Sequence, residues 1–274
     1  MNPQSTATKK KKPTAAESAP PALLMADEPQ AVTVEQPEGT SDFVFACDHG
    51  SMRLPRALGT LGLSQTELGS HIAWDIGAGG VARMLAQRLD ATLVSQNYSR
   101  LVIDCNRQQA ASDSIPVRGE WVDISGNEHL GSADIETRRT EIFAPYHEAL
   151  TTILDQRKAD RRRTLLVAVH SFTPTYLNIS RPWSIGVMYG QDARMGAVLV
   201  KLLRRDDRLK VGDNEPYPVA EDNDYTLPVH GQSRGLVHVG IEIRQDLIAD
   251  EIAQKSWAGR LASLLKQASD MLGK

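Results

Sequence analysis

Two short apolar runs in this chain end in a histidine and then break into a loop. Phe43-Val44-Phe45-Ala46-Cys47-Asp48-His49 is followed by Gly50-Ser51, and Leu165-Leu166-Val167-Ala168-Val169-His170 is followed by Ser171. A strand that terminates in this way delivers an imidazole to the carboxyl edge of a sheet, where open α/β sheets build their sites. Two such deliveries and a nearby carboxylate make a three-ligand zinc site with an open fourth position. The pattern points to a metal-dependent hydrolase.

Short apolar runs alternate with amphipathic segments along the chain, as in α/β architecture. Candidate strands are 43–48, 91–95, 100–104, 164–169, 184–188 and 236–243. Candidate helices are Ile76 to Leu89, Ser132 to Asp160 with Pro145 expected to kink or divide it, Ala193 to Arg204, and Asp250 to Leu272 closing on Gly273. Two stretches rich in Gly, Pro, Asn and Asp, 106–131 and 206–235, resist assignment and are expected to wall the active site. The expected fold is a single α/β domain at 43–274, a central mixed and mostly parallel sheet with helices on both faces.

Residues 1–42 contain no aromatic residue and six of the fourteen prolines. A stretch of that composition cannot bury enough apolar surface to offset its ordering entropy, so it is read as a disordered tail. Its Lys9–Lys12 run is outweighed by Glu17, Asp27, Glu28, Glu35 and Glu38, and the whole chain carries a net charge of −3. Neither calls for a nucleic acid, and no early apolar run has the length of a signal core or membrane span. Cys47 and Cys105 are the only cysteines and read as reduced and buried, consistent with a cytoplasmic enzyme.

Asp75 opens the segment leading into the first long helix, where it can face the sheet edge as a third ligand; helix N-capping is its other ordinary role. Asp48 adjoins His49 but points to the opposite side of an extended strand. In Val237-His238-Val239-Gly240-Ile241-Glu242-Ile243-Arg244, turning Val239, Ile241 and Ile243 to the core puts His238, Glu242 and Arg244 on the other face. On a covered sheet such charges need a purpose, and a glutamate beside a zinc site is a natural general base. Asn106-Arg107 can bind a substrate carboxylate, although pairing of Arg107 with a loop acid is equally compatible with the spacing. Gly231-Gln232-Ser233-Arg234-Gly235 matches a nucleophile elbow in letters only, because that motif needs a strand before it and a helix after it.

Several segments, in order, carry a family resemblance: Cys47-Asp48-His49-Gly50-Ser51, Trp74-Asp75, Ser99 to Arg107, Tyr146-His147, His170-Ser171-Phe172 and Ile241 to Arg244. From Phe43 to the final helix the chain resembles the N-formylglutamate amidohydrolase family, which is similar in fold to zinc carboxypeptidases and aspartoacylases. The resemblance implies a Zn2+ ion on His49 and His170. Carboxypeptidase-like proteins carry an acidic ligand three residues after the first histidine, where this chain has Met52, and Asp75 is taken as the replacement. It further implies Glu242 as general base, and Asn106, Arg107, Arg244 and Ser171 on the substrate side. The implied reaction is hydrolysis of an N-acyl acidic amino acid, N-formyl-L-glutamate to formate and glutamate. A non-catalytic metabolite-binding descendant of the fold is the alternative.

Overall fold

The computed structural model describes residues 22–220 and 222–273. Its centre is a seven-stranded sheet built from β1 (Val32–Glu35), β2 (Phe43–Cys47), β3 (Thr92–Gln96), β4 (Leu165–Phe172), β5 (Ile185–Met188), β6 (Val211–Asp213) and β7 (Val237–Arg244). The spatial order is β1-β3-β2-β4-β7-β5-β6. β3, β2, β4 and β7 are mutually parallel, β1 is antiparallel to β3, and β5 is antiparallel to β7 with β6 parallel to it. The sheet is therefore mixed with a parallel centre, as expected.

Helices cover both faces. α1 (Ala78–Leu89), α3 (Arg194–Leu203) and α4 (Glu251–Met271) pack on the face formed by Phe43, Phe45, Leu165, Val167, Val239, Ile241 and Ile243. α2 (Ala144–Ala159) packs on the opposite face, against Val44, Ala46, Val94, Leu166 and Ala168. β2 and β4 are buried along their whole length, which explains why they read as unbroken apolar runs rather than alternating ones. Pro145 is the second residue of α2, directly after a widened helical turn at Arg139–Phe143 that joins α2 to the short helix Ser132–Arg138.

Two expectations need correction. Residues 22–42 are not a tail: β1 adds an edge strand to β3, Leu23 and Ala31 are buried, and Glu141 accepts from the backbone of Leu23 and Leu24. Burial of a few small apolar side chains plus ladder bonds orders a stretch that aromatic content alone marks as disordered; residues 1–21 lie outside the described part. Residues 100–104 form no strand. Leu101, Val102 and Ile103 are buried in a loop, apolar because it is packed and not because it is paired. Beyond the end of α2, Arg162 donates to the Gly39 and Ser41 carbonyls and Arg163 to Asp42 and Ser269. No helix among the described residues is long and apolar enough to cross a membrane.

Candidate active site

His49 lies two residues beyond β2 and His170 sits inside the last part of β4, which runs on to Phe172. Because β2 and β4 are parallel neighbours, both imidazoles arrive at the same carboxyl edge, with ring centroids 5.1 Å apart. The Asp75 N–H donates to the His49 carbonyl at 2.9 Å, so the carboxylate is tied to the same corner. Gly77 then turns the chain into α1 at φ +80°, and any Cβ there would meet the Ile248 carbonyl oxygen at 2.2 Å. Asp75 is not a helix cap, since Gly77 occupies that position.

The Oδ2 of Asp75 stands 2.8 Å from His170 Nδ1 and 3.4 Å from His49 Nδ1. The outward nitrogens have carboxylates of their own. His49 Nε2 is 2.7 Å from Asp104, and His170 Nε2 is 3.2 Å from Asp48. Tyr146 and Thr226 hydroxyls donate to the other oxygen of Asp48 at 2.6 and 2.7 Å, and Arg100 donates to the other oxygen of Asp104 at 2.6 Å. His49 puts its Nε2–H on Asp104 and turns its Nδ1 lone pair to Asp75, an assignment drawn from the hydrogen-bond network, whereas His170 bonds Asp75 through Nδ1 and pairs with Asp48 through Nε2.

Lone pairs and a carboxylate facing one another at these distances need a cation between them. His49 Nδ1 is buried with no hydrogen-bond partner. A proton or a metal ion meets that need. Burial opposes a charge on His170, but the carboxylates of Asp48 and Asp75 outweigh it and push the imidazole well above its usual range. Burial and Arg100 oppose a charge on His49, and Asp104 and Asp75 again win. Asp48 is held down at about 2 despite its burial, chiefly by His170. His49, Asp75 and His170 thus form a buried ligand set fit for a metal ion, and Asp48 stands behind it rather than in it.

β7 lies beside β4 with Glu242 opposite His170 in the register. Val239, Ile241 and Ile243 pack into the α1/α3/α4 core, as their alternation requires. Glu242 therefore emerges on the His170 face, 6% exposed, with one oxygen lacking any partner. Burial raises its carboxyl to about 7, with His170 lowering and Asp75 raising it. A general base is most effective with its pKa near the working pH.

These groups floor a cleft of about 520 Å³, walled by residues of 106–120 and 217–224 as the two unassigned stretches predicted. That volume is in the range of small-molecule sites, about 300–1,000 Å³. Asn106 and Arg107 line the cleft, but much of each is already engaged. The Asn106 side chain accepts from the Tyr225 and Thr226 backbone, and Arg107 pairs with Asp113 and Asp224 through Nε and Nη1. Ser171 lines it too, its hydroxyl donating to the Ile76 carbonyl on the segment that carries Asp75. Arg244 is not among the side chains lining the cleft; it pairs with Asp246 at 2.7 Å, since β7 has passed the site by that point. Ser233 bonds the Pro228 carbonyl and is likewise absent from the lining.

Sequence reading weighed Asp48 only as a rival to Asp75 for the third ligand, and overlooked Asp104 and Arg100. The alternation that turns Asp48 away from His49 is the reason it reaches His170 on the neighbouring strand. Asp104 and Arg100 offered only their place beside Asn106-Arg107, because the partner of Asp104 is 55 residues away.

Two buried imidazoles and a carboxylate that could hold a metal ion, beside a glutamate near neutrality in a small-molecule cleft, fit a hydrolytic centre. The N-formylglutamate amidohydrolase family matches residues 41–249, and the chain belongs to that family, making it a hydrolase acting on amides. An Agrobacterium tumefaciens gene product of known crystal structure is 38% identical with a TM-score of 0.89, over 92% of this chain and 100% of that one. The N-formylglutamate amidohydrolase of Ralstonia eutropha shares the fold at 20% identity and a TM-score of 0.59, over 86% of this chain and 98% of that one. No match is found among curated proteins.

Proposed function

We propose that this chain hydrolyses N-formyl-L-glutamate to formate and L-glutamate as a zinc enzyme. The observation that carries the reading is the convergence of His49 Nδ1, Asp75 Oδ2 and His170 Nδ1 on one buried point, on the face where Glu242 emerges. These three side chains would hold the ion, and Asp104 and Asp48 would fix the tautomers that free both Nδ1 atoms. Zinc supplies Lewis acidity, activating a water and polarising the amide carbonyl.

The protein's own groups do the rest. Glu242, raised to about 7 by burial, takes the proton of the attacking water and returns it to the departing amine. Water thus adds across the C–N bond, oxygen to the formyl carbon and hydrogen to nitrogen. Arg100, fixed by Asp104, lies 3.6 Å from Asp75, whose carboxyl His49 and His170 hold well below the usual range despite its burial. Arg107 has spent Nε and Nη1 on protein oxygens, which leaves the two hydrogens of Nη2 to receive a substrate carboxylate. Held at both ends, the amide is presented in one orientation.

Elemental analysis of the purified protein before and after chelation, with formate release from N-formyl-L-glutamate followed in parallel, tests the proposal. About one zinc per chain and chelator-sensitive release are expected. Zinc-loaded protein that releases no formate would refute the substrate, and full activity at negligible metal content would refute the zinc.

A further inference from the structure

The cleft has two unlike ends. At one, Arg107 bonds Asp113 and Asp224, and the Asn223 amide bonds Asp113. Asp224 lies two residues before Thr226, which bonds Asp48 just beyond β2, so this polar end stands over β2. At the other end the lining turns apolar, with Phe172, Tyr176 and Tyr217 among its side chains. Phe172 stands two residues beyond His170 on β4 and so shares its face. The loop leading to Tyr217 lies on Gly186, where any Cβ would meet the Glu215 carbonyl oxygen at 2.1 Å, and Gly186 is opposite Glu242 in the register of β5 and β7. The apolar end therefore begins beside His170 and Glu242 and extends toward β5.

Apolar surface continues from there to the rim. Tyr176 is paired with Ile179 across a hairpin, which puts both side chains on one face, and Ile179 is exposed. Leu177 and Asn178 make the hairpin turn with φ of +49° and +63°. Such turns ordinarily carry Asn and Gly, because a leucine in the left-handed region is strained, yet an exposed leucine stands here. The Leu177 N–H donates to Glu120 at 2.9 Å. Trp121, exposed beside Glu120, thereby joins the same rim from the hairpin that pairs Arg118–Gly119 with Val122–Asp123. The Arg181 guanidinium lies 4.6 Å from the Tyr176 ring centre and 4.7 Å from that of Tyr217, which fixes the two rings relative to one another. Exposed apolar residues that carry a cleft outward mark a ligand groove.

We infer that the strip from Phe172 through Tyr176 and Tyr217 to Leu177, Ile179 and Trp121 is an acyl subsite, and that the enzyme accepts N-acyl amino acids whose acyl group is an apolar chain. The inference rests on the amidohydrolase reading and widens its substrate class. A substrate with its carboxylate on Arg107 and its amide over His49, Asp75 and His170 points its acyl group toward β5. Formyl carries only hydrogen beyond its carbonyl carbon and leaves that end unfilled, whereas an alkyl chain covers it. The reaction is the same addition of water across the C–N bond, releasing a longer carboxylic acid in place of formate. The strained position of Leu177 is retained because its side chain is used.

The test follows glutamate release by the zinc-loaded protein from N-formyl-, N-acetyl- and N-octanoyl-L-glutamate, together with calorimetric binding of acetate and octanoate. A methylene moved from water onto a half-open apolar strip is worth about 2-fold, so kcat/KM should rise roughly 10–100-fold from the acetyl to the octanoyl compound, and octanoate should bind tighter than acetate by a similar factor. Leu177→Asn combined with Trp121→Ser removes the rim, and asparagine suits the left-handed turn, so Tm should hold. This double variant should lose roughly 3–10-fold on the octanoyl compound and less than about 2-fold on the formyl and acetyl compounds. Binding keeps the two readings apart. If wild type cleaves none of the three, the N-acylglutamate substrate is wrong, yet tighter binding of octanoate that weakens in the double variant still supports the subsite. Cleavage of N-formyl-L-glutamate with no gain from acetyl to octanoyl would overturn the subsite and leave the amidohydrolase reading intact. Octanoate bound no tighter than acetate, or an octanoyl gain undiminished in the double variant, would overturn it as well.

Discussion

Replacing His147 by glutamine removes one of two imidazoles that the fold holds neutral, and the expected consequence is a changed dependence of stability on pH. His147 Nε2 stands 2.9 Å from the Cys105 carbonyl and its Nδ1 stands 2.9 Å from His230 Nε2. The carbonyl can only accept, so His147 donates from Nε2 and accepts from His230 at Nδ1. A second proton on His147 would set two N–H groups against each other. Burial, then His230, push His147 down to about 3; burial, then Arg234, push His230 down to about 4. In the unfolded chain both titrate near 6.5. Between those values the unfolded state binds more protons, so stability falls as pH drops below about 6.5 and the loss is complete only near the folded values. Each imidazole costs about 2 kcal/mol between pH 7.5 and pH 5, so the pair costs about 4 kcal/mol in wild type and about 2 kcal/mol in His147→Gln. The raised pKa values of His49 and His170 act in the opposite sense and cancel in the comparison. Urea unfolding followed by tryptophan fluorescence at both pH values gives the two differences. The variant is expected to be weaker at every pH, having lost its bonds, but its pH-dependent loss should be smaller by about 2 kcal/mol. Identical losses in the two proteins would show that His147 titrates freely in the folded state and refute the reasoning.

Other outcomes follow from the site and the fold. Glu242→Gln should retain zinc and lose roughly 10²–10⁴ in kcat, and near-normal turnover would remove Glu242 as the base. His49→Ala, His170→Ala and Asp75→Asn should each sharply lower zinc occupancy measured by elemental analysis; full occupancy in Asp75→Asn would exclude it as a ligand. Tyr146→Phe removes one of the hydroxyls that hold Asp48, so competition with a chelator should show zinc affinity reduced, by up to roughly 10-fold. A chain starting at Phe43 loses β1, buried Leu23 and Ala31, and the Tyr98 bond to the Pro29 carbonyl, and should be less stable by about 2–4 kcal/mol. An unchanged Tm would show that residues 22–42 contribute nothing to the fold.

Local pattern alone accounts for part of this molecule. Runs apolar on both faces marked β2 and β4 as interior strands, alternation over 237–244 assigned Glu242 to a face, and strand ends placed both histidines at one edge. A proline expected to divide a helix lies just inside the start of α2. Packing that imitates pairing was misread: Leu101 to Ile103 are as apolar as a strand because they are buried in a loop, and residues 22–42 hold their place with few large side chains. Which polar groups meet depends on how the elements pack. Asp104 lies behind His49 across 55 residues and Thr226 behind Asp48 across 178, distances along the chain at which spacing carries no information. The sheet order brings β2, β4 and β7 together, and the tertiary packing around it settles the choice of Asp75 over Asp48 facing both Nδ1 atoms and the engagement of Arg107 by Asp113 and Asp224. Hydrophobic periodicity is written within a single element, whereas the partner of a buried charge is set by whichever element the fold packs against it.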